Sequence, residues 1–140
     1  MSPLTVGVTG HRPNRLADAD PELLRDRVRD VLGFLHGLRS DQTPPTLLTG
    51  LAEGADRIAA QEAMELGFRV DAVLPFVRAD YEKDFAGPAS RQEFGRLLAR
   101  SGEIHELPGI RTSEAQDAAY LAVGRFILDR TDVLLAVWDG

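Results

Sequence analysis

The sequence predicts a Rossmann-like α/β domain of three layers, α/β/α, built on a parallel five-stranded sheet in the order 3-2-1-4-5. Short β-rich runs alternate with helical patterns from one end of the chain to the other, as parallel strands joined by crossover helices require. The 140 residues, 44% hydrophobic and 27% charged, suit a single domain spanning 1–140, which buries about two-thirds of its unfolded surface without cross-links. No repeat, low-complexity tract or linker interrupts the pattern.

Leu4–Thr9 is apolar and β-branched, ends at Gly10 and is too short for a helix, so it forms the first strand. Asp20 is an N-cap candidate with Pro21 at the first helical position. Behind them Leu24, Val28, Val31, Leu35 and Leu38 recur at helical spacing and lay one apolar face on the sheet. Pro44-Pro45 break the chain before the second strand, Thr46–Thr49. The loop from Gly50 to Gly54 opens a helix from Ala55 to Leu66, where Ala55, Ala59, Ala63 and Leu66 form a close-packing face and Gly67 is the C′ residue.

Arg69–Leu74 is the third strand, stopped by Pro75. Val77–Ala89 is polar and holds Gly87-Pro88, which predicts a long loop and therefore a functional one. Ser90-x-x-Glu93 has the form of a capping box and opens a helix that carries Phe94, Leu97 and Leu98 and ends at Gly102. Glu103–Leu107 is the fourth strand, and Pro108-Gly109 turns the chain. A second capping box, Ser113-x-x-Gln116, opens the helix Glu114–Arg130, and Asp132–Asp139 is the last strand. The chain stops at Gly140 straight after its most hydrophobic run, where a doubly wound sheet calls for one more helix. The expectation is a domain lacking its last helix, cut short at Gly140 or covered there by a partner subunit in a homodimer.

Composition narrows the chemistry. With no cysteine there is no disulfide, thiolate metal site or cysteine nucleophile, and a reducing, cytoplasmic setting is expected. Sixteen Lys+Arg against 22 Asp+Glu leave a net charge of −6, whereas a protein that neutralises a phosphate backbone is usually basic, so nucleic acid is disfavoured as a partner. No apolar run reaches the roughly 18–20 residues of a membrane span, and Met1 to Val8 lacks the apolar core of a signal peptide. His11, His36 and His105 are scattered, so no metal site and no cofactor are implied. No G-x-S-x-G elbow supports a serine hydrolase.

Ligands of such sheets bind at the carboxyl ends of the strands, around the point where strand order reverses. After the first strand the chain reads Thr9-Gly10-His11-Arg12-Pro13-Asn14-Arg15, a glycine turn with basic residues suited to an anion. It is not a G-x-G-x-x-G fingerprint, nor a P-loop. After the second strand, Thr49-Gly50-Leu51-Ala52-Glu53-Gly54-Ala55-Asp56 runs into a helix N-terminus, where free N–H groups and the dipole favour an anion. Asp56 reads equally as a first-turn acid favoured by the dipole, and Glu53 as a general base.

The run Thr49-Gly50-Leu51-Ala52-Glu53-Gly54-Ala55-Asp56-Arg57-Ile58-Ala59-Ala60 resembles the S/T-G-x-A-x-G-x-D-x-x-A-A signature of the SLOG superfamily. These Rossmann-like domains are named for the DNA-processing protein A and lonely-guy families. Gly10-His11-Arg12, Leu74-Pro75-Phe76 with Tyr81 to Phe85, and Ala136-Val137-Trp138-Asp139-Gly140 resemble its uncharacterised bacterial members, in order along nearly the whole chain. The resemblance implies binding of a nucleotide or nucleotide-derived ligand, as a sensor or regulatory domain. Lonely-guy enzymes are phosphoribohydrolases that use a P-G-G-x-G-T-x-x-E loop; Pro108-Gly109-Ile110-Arg111-Thr112 shares only its first two letters.

The expected ligand site therefore comprises Thr9, Gly10, His11, Arg12, Thr49, Gly50, Glu53, Gly54, Ala55, Asp56, Pro75, Phe76, Tyr81, Asp84, Arg111 and Asp139. Phosphate sits on the N–H groups of Gly10 and Gly50 to Ala55, Arg12 supplies charge and His11 a donor. Glu53 or Asp56 meets ribose hydroxyls, Tyr81 and Phe85 stack on a base, and Arg111 pairs with phosphate. Arg125 reads as a salt-bridge or helix-surface residue. Two alternatives stand beside this: a phosphoribohydrolase of nucleoside 5′-monophosphates with Glu53 as its catalytic residue, and a single-stranded DNA-binding domain.

Overall fold

A computed structural model describes residues 3–10, 20–38 and 43–137. In chain order these form β1 (Thr5–Gly10), α1 (Pro21–His36), β2 (Thr46–Thr49), α2 (Ala55–Glu65), β3 (Arg69–Leu74) and α3 (Arg78–Tyr81). A 3-10 turn (Glu82–Asp84) leads to α4 (Pro88–Ala99), β4 (Ile104–Glu106), α5 (Gln116–Arg130) and β5 (Val133–Val137). Every strand pairing is parallel, and the sheet of five strands runs β4-β3-β2-β1-β5.

The parallel Rossmann-like sheet and its 3-2-1 run are as expected. The strand that fills the place beside β1 is β5, however, and β4 extends the sheet outward from β3. Both strands therefore stand at edges of the sheet. β4 has 3 residues, none of them buried, and can stand at an edge. Val133–Val137 is an apolar run that pairs along β1 from Val6 to Gly10 and forms the opposite edge, where Val137 is its one buried residue.

Handedness then distributes the helices. Each step from β1 to β2 to β3 to β4 moves the same way, so right-handed crossovers put α1, α2 and α4 on one face. The return from β4 to β5 reverses direction and puts α5 on the other. On the first face Val6, Val8, Leu47, Val70, Ala72 and Leu74 meet α1, α2 and α4 in one cluster. On the second, Leu48 and Val73 meet Ile127, with Val123 and Phe126 alongside. Gly7 is required there, because a Cβ would lie 2.5 Å from both Ile127 Cγ2 and Thr131 Cγ2.

Most local signals form as the sequence predicts. Asp20 caps α1 by accepting from Glu22 N and Leu23 N, with Pro21 in the first turn. α2 presents Ala55, Ala59, Ala60 and Ala63, all buried, and ends in a Schellman arrangement: Phe68 N donates to Ala63 O, Gly67 N to Met64 O, and Gly67 has φ +86. Three expectations change. In α1 the buried face is Val28, Leu32 and Leu35, while Val31 and Leu38 are exposed. The stretch 77–89 is not an open loop, because α3 and the 3-10 turn fold Tyr81 and Phe85 into the core. Neither capping box caps. α4 starts two residues earlier, at Pro88 behind Gly87 (φ +92), and the start of α5 is held by Thr112, whose Oγ1 accepts from Ala115 N and whose carbonyl accepts from Gln116 N. Among the described residues no helix is long and apolar enough to cross a membrane.

Candidate functional site

A cleft of about 790 Å³ opens at the carboxyl ends of β1, β2 and β3 and runs along α5. Thr9 and Gly10 end β1 in its wall, Gly50, Ala52 and Asp56 come from the loop and helix after β2, and Pro75 and Tyr81 follow β3. The opposite wall is α5, with Gln116, Tyr120, Leu121, Gly124, Arg125 and Leu128.

The floor is built by close approach. A Cβ on Gly10 would sit 2.5 Å from Ala55 Cβ, so only glycine lets the end of β1 meet the first turn of α2. That turn begins at Gly54 (φ +96) with no side-chain cap, leaving its N–H groups to other acceptors. Thr49 Oγ1 accepts from Leu51 N at 3.0 Å, and Leu51 takes φ +54, a conformation uncommon outside glycine. Asp56 Oδ2 accepts from Ala52 N at 3.3 Å, and the Tyr81 hydroxyl donates to Gly50 O at 2.8 Å. The loop is thereby fixed at nearly every residue.

Among the described lining residues are Thr9, Gly10, Gly50, Asp56, Pro75 and Tyr81 of the expected site. Glu53, Gly54, Ala55, Thr49, Phe76, Asp84 and Arg111 lie behind or beside it. Thr49 and Phe76 are fully buried, and the ring of Phe76 packs edge-on against Tyr81 and Tyr120. Glu53 is engaged by Ser90, whose Oγ donates to its carboxylate at 2.6 Å. Arg111 is not turned to the cleft for phosphate: its Nε donates to Asp84 at 2.8 Å, and Asp84 also accepts from the Tyr120 hydroxyl at 2.5 Å. Phe85, expected to stack on a base, lies in the core beneath Arg57, 4.4 Å from its guanidinium carbon. His11, Arg12 and Asp139 lie outside the described residues.

Tyr120 is a cleft residue that the sequence does not single out, and Arg125, read as a helix-surface residue, lines the cleft as well. Arg125 is exposed, lines the cleft and has no ion-pair partner among the described residues. The signal was present but weak, since Leu121, Gly124, Arg125 and Leu128 recur at the three-four spacing of one helix face. Gly124 opens that face, because a Cβ there meets nothing within 4 Å.

Two solved structures share this architecture. DNA processing protein A from Streptococcus pneumoniae superposes with a TM-score of 0.60 at 20% identity over 96% of this chain. The fold is the one that protein has. DNA processing protein A from Helicobacter pylori, whose structure addresses its single-stranded DNA binding mode, gives a TM-score of 0.57 at 18% identity, again over 96% of the chain. The chain spans 41% of the first protein and 53% of the second. No family model and no curated protein matches it. The resemblance to the superfamily named for DNA-processing protein A thus holds at the level of the fold. One expectation is overturned. The net charge of −6 had disfavoured nucleic acid as a partner, yet the Helicobacter pylori protein, over part of which this chain superposes, is one with a single-stranded DNA binding mode. The charge of a whole chain does not decide what meets a local surface.

Proposed function

We propose that the cleft binds a nucleotide unit, with phosphate at the end formed by Gly10, Gly50 and the first turn of α2, and the base against Tyr120 and Leu121. The single observation that supports this reading most is convergence. Residues from three separate strand ends, Thr9, Gly10, Gly50, Asp56 and Pro75, border one cavity together with the exposed Arg125. Its volume, about 790 Å³, lies within the range of roughly 300–1,000 Å³ usual for small-molecule sites. Arg12 and His11, which follow Gly10 directly, are assigned as charge partner and donor, and Asp56 as the acceptor for ribose hydroxyls. Glycosidic cleavage by Glu53 has less support, because that carboxylate is held by Ser90 and is not among the described residues of the cleft wall.

A second reading, single-stranded DNA, is favoured by the Helicobacter pylori neighbour. In it the same cleft takes one nucleotide of a strand, and basic residues outside it follow the backbone. The two readings separate in a titration with 5′-nucleoside monophosphates and with a fluorescent oligothymidylate at several salt concentrations. Free nucleotides raise the melting temperature under the first. Tight oligonucleotide binding that weakens linearly in log salt, with no response to monophosphates, establishes the second. A chain that responds to neither probe refutes both.

A further inference from the structure

We infer that Arg57, clasped by Ser90 and Glu93 of α4, is a positioning residue that sets the shape of the ligand loop 50–54, so that α4 governs a cleft it does not line. The inference rests on the reading of that cleft as a nucleotide site.

Arg57 is buried, with 3% of its surface exposed. Its Nε donates to Leu51 O at 3.0 Å, and its Nη1 is shared among Ser90 O and Ser90 Oγ, both at 3.0 Å, and Glu93 Oε1 at 3.1 Å. The guanidinium stacks on Phe85. Its Nη2 is buried and has no hydrogen-bond partner among the described residues. As a device for stability this is poor design, since a buried charge with an unpaired donor is commonly matched or bettered by apolar side chains. What an apolar residue could not do is hold a carbonyl. Leu51 carries positive φ without being glycine, and such a conformation persists only where its surroundings impose it.

The second half of the clasp is Ser90. Its Oγ accepts from Arg57 and donates to Glu53, so one hydroxyl joins two points of the loop: Leu51 through Arg57, and Glu53 directly. The residues between and before them, Ala52 and Gly50, are the ones that border the cleft. Alternate loop residues are therefore anchored on α4 while their neighbours present backbone to a ligand.

The test compares wild type, Ser90→Ala and Ser90→Thr, using oligothymidylate and nucleoside monophosphates as probes well below the melting temperature. Ser90→Ala is expected to lose about tenfold in affinity for whichever probe the wild type binds, the loss corresponding to one charge-assisted hydrogen bond. The backbone amide resonances of Leu51 to Gly54 move in the same variant, and Ser90→Thr, which keeps a hydroxyl, restores both. Arg57→Lys, which keeps the charge and loses the fork, shows the same loss. Wild-type affinity and unmoved loop resonances in Ser90→Ala overturn the clasp while leaving the cleft as a site. A wild-type chain that binds neither probe overturns the cleft and the clasp with it.

Discussion

The two faces of the sheet are unequally covered. Three helices close the first face, and Phe76, Phe85 and Phe94 are completely buried there. α5 alone covers the second among the described residues, and Leu121, Leu128 and Leu134 remain 56%, 58% and 42% exposed. The cleft lies on the border between them. Its glycine-rich floor is braced by the packed face through Arg57, Tyr81 and Ala55, whereas its α5 wall carries Leu121 and Leu128 exposed. A rigid floor that fixes backbone donors, facing an open apolar wall, suits a ligand with one charged and one flat apolar end.

The contrast can be broken first at its most packed point. Phe94→Ala, which empties the aromatic cluster with Tyr81 and Phe85, is expected to cost about 3–5 kcal/mol in denaturant-induced unfolding. Gly109→Ala comes next, because its Cβ would lie 2.3 Å from Pro75 O and 2.5 Å from Ala119 Cβ; about 1–3 kcal/mol of overpacking is expected. Gly124→Ala on the open wall meets nothing within 4 Å and should raise stability by about 0.5–1 kcal/mol through helix propensity. Leu128→Ser, on the exposed side of the same helix, should fall within about 0.5 kcal/mol of wild type.

A pH titration sharpens the comparison from the packed side. Glu62 is buried on α2, and hydrogen bonds from Arg29 and then Arg25 hold its carboxyl below the usual carboxylate range against the opposing effect of burial. A depressed carboxylate contributes stability above its unfolded pKa, about 4.3, and loses it as pH falls through the folded value. The melting temperature of wild type should therefore fall below that point, and Glu62→Gln should flatten the decline. An equally steep decline in Glu62→Gln would assign the acid sensitivity to other carboxylates.

Much of this was legible in the sequence because it is local. Alternating β-rich and helical runs, the Asp20-Pro21 cap, the alanine face of α2 and Gly67 at its end are set by near neighbours, and each formed as read. What the sequence does not show depends on distant partners. Ser90 and Glu93 have the spacing of a capping box, but a buried arginine 33 and 36 residues away takes both. Arg111 has the chemistry of a phosphate ligand, but Asp84 was folded next to it. β5 takes the place beside β1 and β4 the edge beyond β3, because strand order depends on pairing across the whole sheet, which no short window contains. The cleft's floor was visible as glycines. Its wall was not, since Tyr120, Gly124 and Arg125 sit in an ordinary helix until the sheet places them opposite Gly50.

The most direct test of the cleft is a binding titration of the Gly124→Leu variant beside Gly124→Ala. Leucine extends from an open position of α5 into the cavity and leaves the packed face untouched. If the cleft is the site, Gly124→Leu folds, melts no lower than wild type, and loses at least about tenfold in affinity for the nucleotide or oligonucleotide that wild type binds, while Gly124→Ala binds nearly as wild type does. Unchanged affinity in a folded Gly124→Leu would place the ligand elsewhere on the molecule.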